Sequence, residues 1–111
     1  MLRAMSEPRL KTEIRVSAQL RRASIAGAFA AIARRGDPDA GAVAVKVYLG
    51  ARRARLFVES RDETGAAIWR EPLEGEADEA DVDRYLEKEA RFDRDLWIVE
   101  IEDRQGRSFV D

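Results

Sequence analysis

Residues 28–49 constrain this chain more than any other stretch: two apolar runs, A-F-A-A-I-A and A-V-A-V-K-V-Y-L, flank the segment R-R-G-D-P-D-A-G. The first run is too short, and too tightly bounded by Gly27 and Gly36, to form an independent helix, so its spacing predicts a strand over residues 28–33. The second alternates. Val43, Val45, Val47 and Leu49 point one way, and Ala42, Ala44, Lys46 and Tyr48 the other, which is the strand period. Between them Pro38 fixes φ, while Asp37 and Asp39 are able to bond back to nearby backbone, so residues 34–41 read as a turn. Two strands joined by a turn commit the chain to a sheet.

The flanking sequence extends that sheet. Residues 11–27 carry both the alternating and the helical period. Good helix formers, Thr12 as N-cap, Glu13 in the first turn and Gly27 after the last favour a helix. Residues 54–60 and 66–70 read as strands with connections of a few residues, so four strands in sequence suggest an antiparallel meander. Residues 72–77 form a linker. Asp78 then caps a helix to about Arg91, whose apolar stripe is Val82, Tyr85, Leu86 and Ala90. In residues 96–102, Trp97, Val99 and Ile101 line one face while Leu96 and Ile98 line the other. A strand apolar on both faces belongs inside a sheet. D-R-Q-G at 103–106 has turn chemistry, and residues 108–110 read as a last short strand. The expected fold is α+β: an antiparallel meander of about four strands plus a closing C-terminal strand, with two helices packed on one face against the Val43–Val45–Val47 side. Residues 1–10 are expected to fray, and 11–111 to form one domain.

The chain has 111 residues with neither cysteine nor histidine. Those absences exclude disulfides, thiolate or imidazole metal sites, and Ser-His-Asp or Cys-His catalysis within this chain. Any catalysis rests on carboxylates, Lys, Arg, Ser, Thr or Tyr. No apolar run reaches the roughly 20 residues of a membrane span, and residues 1–10 lack the apolar core of a secretory signal, so the expected location is cytoplasmic, with no membrane contact.

A net charge of −2 conceals a strong asymmetry: 13 Lys and Arg against 5 Asp and Glu in residues 1–61, and 7 against 17 in residues 62–111. Either the halves neutralise each other in the fold or they form opposed surface patches. Arg34, Arg35, Arg52 and Arg53, with Arg21, Arg22 and Arg55 nearby in sequence, are the candidate set for a small anion or nucleotide, because guanidinium forks suit bidentate recognition. Nucleic acid is disfavoured as a partner by the negative net charge and the lack of aromatics among the basic segments. Glu100 and Glu102, about 7 Å apart on one strand face, with Glu59 opposite, Asp93, Asp95 and Asp103 near in sequence and Lys46 beside them, form the candidate set for a carboxylate-metal phosphodiesterase. No compact metal loop is present and no cofactor is expected. Trp69 and Trp97 read as core or sheet-face anchors.

R-R-G-D-P-D-A-G-A at 34–42 and D-L-W-I-V-E-I-E-D at 95–103, with R-L-K-T-E-I at 9–14, resemble the small bacterial family called domain of unknown function 1491. The resemblance runs in order along almost the whole chain and is weakest over residues 60–75. It implies a short cytoplasmic α+β protein of a family without an assigned activity, and it carries over no catalytic or binding residue. The residues themselves point first to a non-enzymatic protein-binding or adaptor module working through its charged faces, with another protein or a second copy as partner. The anion-binding reading stands second, and the metal phosphodiesterase third.

Overall fold

The computed structural model of the protein describes residues 10–111; the segment expected to fray lies, apart from Leu10, outside them. Helix α1 (Thr12–Ile25) leads into strand β1 (Phe29–Arg34), then β2 (Val43–Gly50), β3 (Arg53–Arg61) and β4 (Ala67–Arg70). A two-residue strand β5 (Ala77–Asp78), helix α2 (Glu79–Phe92) and strand β6 (Trp97–Glu102) complete it. The strands form one mixed sheet in the order β1-β6-β2-β3-β4, with β5 paired to β3. The α+β class and the central place of the last strand agree with the sequence. β6 runs antiparallel to β1 and parallel to β2.

The meander is therefore shorter than expected. β2, β3 and β4 are successive antiparallel neighbours, but β1 is parted from β2 by β6. The segment 34–42 makes this possible by crossing the start of β6. Asp37 N donates to Asp95 O (3.0 Å), and Trp97 N donates to Ala42 O (2.9 Å). Gly36 and Gly41 allow the approach, since a Cβ there would lie 2.0 and 2.2 Å from Asp95 O. Trp97 is fully buried, and its Nε1 donates to Asp37 O (2.7 Å).

The same segment caps α1. Thr12 N and Glu13 N donate to the carbonyls of Asp39 and Pro38, satisfying donors that a helix start leaves open. Thr12 is thus not the N-cap: Lys11 holds that position, and the buried Thr12 hydroxyl donates to Gly41 O (2.7 Å). At the other end Gly27, at φ +86°, supplies the left-handed residue that follows the helix.

The helices cover opposite faces, not one. Strand alternation sends Val43, Val45, Val47, Trp97, Val99 and Ile101 to α1, where Val16 and Leu20 meet them. It sends Ala44, Ala54, Leu56, Val58 and Ile98 to α2, where Val82 and Leu86 meet them. A sheet carrying apolar residues on both sides of β2, β3 and β6 must be covered twice. The stripe on α2 is as expected, but it packs on small residues and Leu56 instead of the valine row. No strand forms at residues 108–110.

Candidate functional site

The charge asymmetry is cancelled in part by ion pairs between the two halves. Arg15, Lys46, Arg53 and Arg55 of the basic half hold carboxylates of the acidic half: Asp111, the Glu79–Asp83 pair, the Glu76–Asp78 pair and Glu71. Lys46 is the most enclosed of the four, with its side chain 8% exposed and Nζ 2.7 Å from both Glu79 and Asp83. Burial lowers its pKa, but the two carboxylates outweigh that and raise it.

The four candidate arginines do not converge. Arg34 ends β1 and Arg35 follows it, level with the start of β2 across β6, whereas Arg52 and Arg53 lie past the end of β2, about 23 Å further along at strand rise. Arg34 donates through Nη1 to Arg94 O and Leu96 O. Arg35 stacks on Trp97 at 4.9 Å and lies 3.8 Å from Glu13. Arg53 is bound to Glu76 and Asp78, and Arg55 is forked onto Glu71. Arg52 is exposed in a two-residue hairpin turn. A ligand using these groups meets them two at a time. The carboxylate set is divided as well. Glu100 and Glu102 share the α2 face of β6, but Glu59 lies on the α1 side, where its Oε1 accepts from Val43 N (3.1 Å). Among the described residues no three acidic side chains lie close enough to hold a metal ion.

Two places carry recognition chemistry. The first is the β1 edge. Residues 29–33 carry no charge, and among the described residues β1 pairs only with β6. Helix α2 covers β3 and reaches β2 at Lys46, leaving the β1–β6 part of its face open, with Phe29 62% exposed. Glu100 and Glu102 are exposed there and have no cationic partner among the described residues. Arg34 bounds the other end of the strand. Register sets Phe29 opposite Glu102, Ala31 opposite Glu100 and, beyond a bulge, Arg34 opposite Ile98.

The second place is a groove between α1 and the sheet, filled by the irregular segment 107–111. Arg15, Gln19 and Arg22, at i, i+4 and i+7 on one helix face, grip it in turn. Arg15 forks onto the Asp111 carboxylate (3.0 and 3.1 Å), Gln19 donates to Ser108 O (2.8 Å) and Arg22 to Phe109 O (2.6 and 3.1 Å). The Arg15 guanidinium holds the Asp111 carboxyl below its usual range. Beneath lies Glu59, its side chain 2% exposed. Its Oε2 accepts no aligned hydrogen bond from the described residues, although Arg15 Nη1 is 2.9 Å away. The helical spacing of Arg15, Gln19 and Arg22 was visible in the sequence, but nothing there named the tail as their partner.

Among the described residues no helix is long and apolar enough to cross a membrane. No curated protein matches the chain. Solved structures do. A crystal structure and an NMR structure of a DUF1491 family protein from Caulobacter crescentus CB15 are each 48% identical to it. Their TM-scores are 0.83 and 0.81, and they match 92% and 91% of this chain over 95% and 92% of theirs. The solution structure of a protein from A. tumefaciens is 34% identical, with TM-score 0.78 and 92% of both chains covered. The family model described as "Protein of unknown function (DUF1491)" matches residues 10–111, and the chain belongs to that family.

Proposed function

We propose that this protein is a non-enzymatic protein-binding module that works by strand addition at the β1 edge, with a second copy of itself as the partner. The observation that carries this reading is the order of features along that edge. Uncharged residues 29–33 lie between an unpaired carboxylate, Glu102, beside Phe29 and a cation, Arg34, at the other end. An edge of this kind lacks the charges and prolines that normally block pairing. A two-fold axis at Ala31 pairs the two β1 strands antiparallel with Ala31 opposite its own copy, and sets Arg34 of each copy one residue beyond the position opposite Phe29 of the other. Glu102 is then two strand spacings away, about 10 Å between backbones, within the joint reach of the two side chains. Among the described residues Arg34 donates only through Nη1, which leaves its other donors for a partner. The pattern is self-complementary, as an isologous contact requires.

The test is self-association from micromolar to near-millimolar protein by light scattering, for the wild type and for Ala31→Lys. Ala31 pairs with Glu100, so a lysine there gains a cross-strand partner and leaves the monomer intact. Across the axis, two such lysines repel. A wild-type dimer weakened by salt, with a folded, monomeric Ala31→Lys, is expected. A wild type that stays monomeric throughout, or a variant that dimerises as well, contradicts the reading.

A further inference from the structure

The groove of α1 lies apart from the β1 edge. We infer that it binds an extended peptide bearing an acidic side chain after two apolar residues, and that the segment 107–111 occupies it as a resident competitor.

Three observations carry this. First, the tail is held as a bound peptide is held. Residues 107–111 belong to no strand or helix, and Gln19 and Arg22 grip main-chain carbonyls that any sequence presents. Only the fork of Arg15 on Asp111 reads a side chain, and it reads charge. The apolar residues Phe109 and Val110 pack against the cluster formed by Val16, Val43 and Trp97.

Second, the tail fits the groove imperfectly. Phe109 is at φ +57°, a left-handed backbone that residues with a side chain rarely adopt. Under Val110 and Asp111 remains a void of about 10 Å³, bounded by Arg15, Val16, Gln19 and Trp69. Trp69 Nε1 is buried and has no acceptor among the described residues. A strained segment above an unanswered donor is a weaker occupant than a peptide that supplies an acceptor there.

Third, among the described residues the groove continues past Asp111. A recess of about 520 Å³, bounded by Leu10, Arg15, Arg61, Thr64 and Ala67, adjoins that residue. It gives a longer peptide room to run on, with Arg61 as a further cation.

The experiment uses the full chain with Asp111→Asn, which removes the tail's charge and leaves the groove residues in place. Two fluorescent peptides copy residues 104–111, one ending in Asp and one in Asn. The Asp peptide is expected to bind the variant at least about ten-fold more tightly than it binds the wild type, because the resident tail competes less well. It should also exceed the Asn peptide about ten-fold, as a charge-assisted fork predicts. Adding Arg15→Gln to the variant should erase that preference. A folded Asp111→Asn chain that binds neither peptide, or both equally, overturns the inference.

Discussion

Lys46 offers a quantitative test of how the basic and acidic halves are joined. Its ammonium is enclosed, while its partners are not: Glu79 and Asp83 are 32% and 56% exposed. The two sides of this triad should therefore respond unequally to removal. Lys46→Met leaves carboxylates that water reaches and replaces the stem with an apolar chain of similar length, at a cost below about 1 kcal/mol. Glu79→Gln with Asp83→Asn leaves an ammonium with little solvent and without the two carboxylates that bond it. Removing the partner of a fully buried charge costs about 3–5 kcal/mol; allowing for the residual exposure of Lys46, about 2–3 kcal/mol is expected. Some of this, about 0.3–1 kcal/mol, reflects the loss of Glu79 from the first turn of α2, and combining all three changes isolates that part. The coupling should then be about 2 kcal/mol, read from urea midpoints at constant m-value. The pH dependence has a definite sign. A folded-state pKa raised above 10.5 means the contribution is complete below that pH and is lost as pH rises through the higher folded value. The gap between wild type and the double variant should narrow only in that alkaline range. Equal losses for Lys46→Met and the carboxylate pair, or a coupling under about 0.5 kcal/mol, would refute the reasoning.

Further outcomes follow from local geometry. Gly36→Ala drives a Cβ into Asp95 O and should cost about 3 kcal/mol or more, whereas Gly27→Ala meets open space and pays only for its left-handed φ, about 1 kcal/mol; thermal melts compare them directly. Ala51 and Arg52, at φ +54° and +61°, occupy a two-residue hairpin whose geometry favours Asn-Gly, so Ala51→Asn with Arg52→Gly should stabilise the fold by about 1 kcal/mol in urea titrations. Asp103 accepts three bonds from Arg107, chiefly from its side chain, which lowers its pKa from 3.8 to about 2. Stability from this turn is therefore complete above the ordinary carboxylate pKa and is lost as pH falls towards 2; NMR titration of the Asp103 carboxyl near 3.8 would contradict it.

Most elements were legible because their signals are local. Alternation marked β2 and β3, and the stripe of Val82 and Leu86 marked α2. The two-sided apolarity of residues 96–98 marked β6 as central, since only an inner strand buries both faces. What escaped was non-local. Nothing in R-R-G-D-P-D-A-G says that it spans two strand spacings instead of one, so β1 was placed beside β2. The α2 face was misjudged because the larger side chains of β2 are valines on the other side, while the true contact uses Ala44 and Ala54 with Leu56. The arginine set looked coherent by composition, yet the length of β2 divides it. Ser108 to Val110 reads as a strand, but its carbonyls are answered by side chains of α1. The cancellation of the two charged halves, by contrast, was one of the two outcomes the sequence already posed.

The β1 edge is tested most directly by hydrogen exchange of its own amides at low and high protein concentration. Paired edges predict that protection of residues 29–33 rises with concentration in the wild type and not in Ala31→Lys, while the β4 edge is unchanged. Protection at β1 that stays constant across the range, or that rises at β4 instead, would contradict the account.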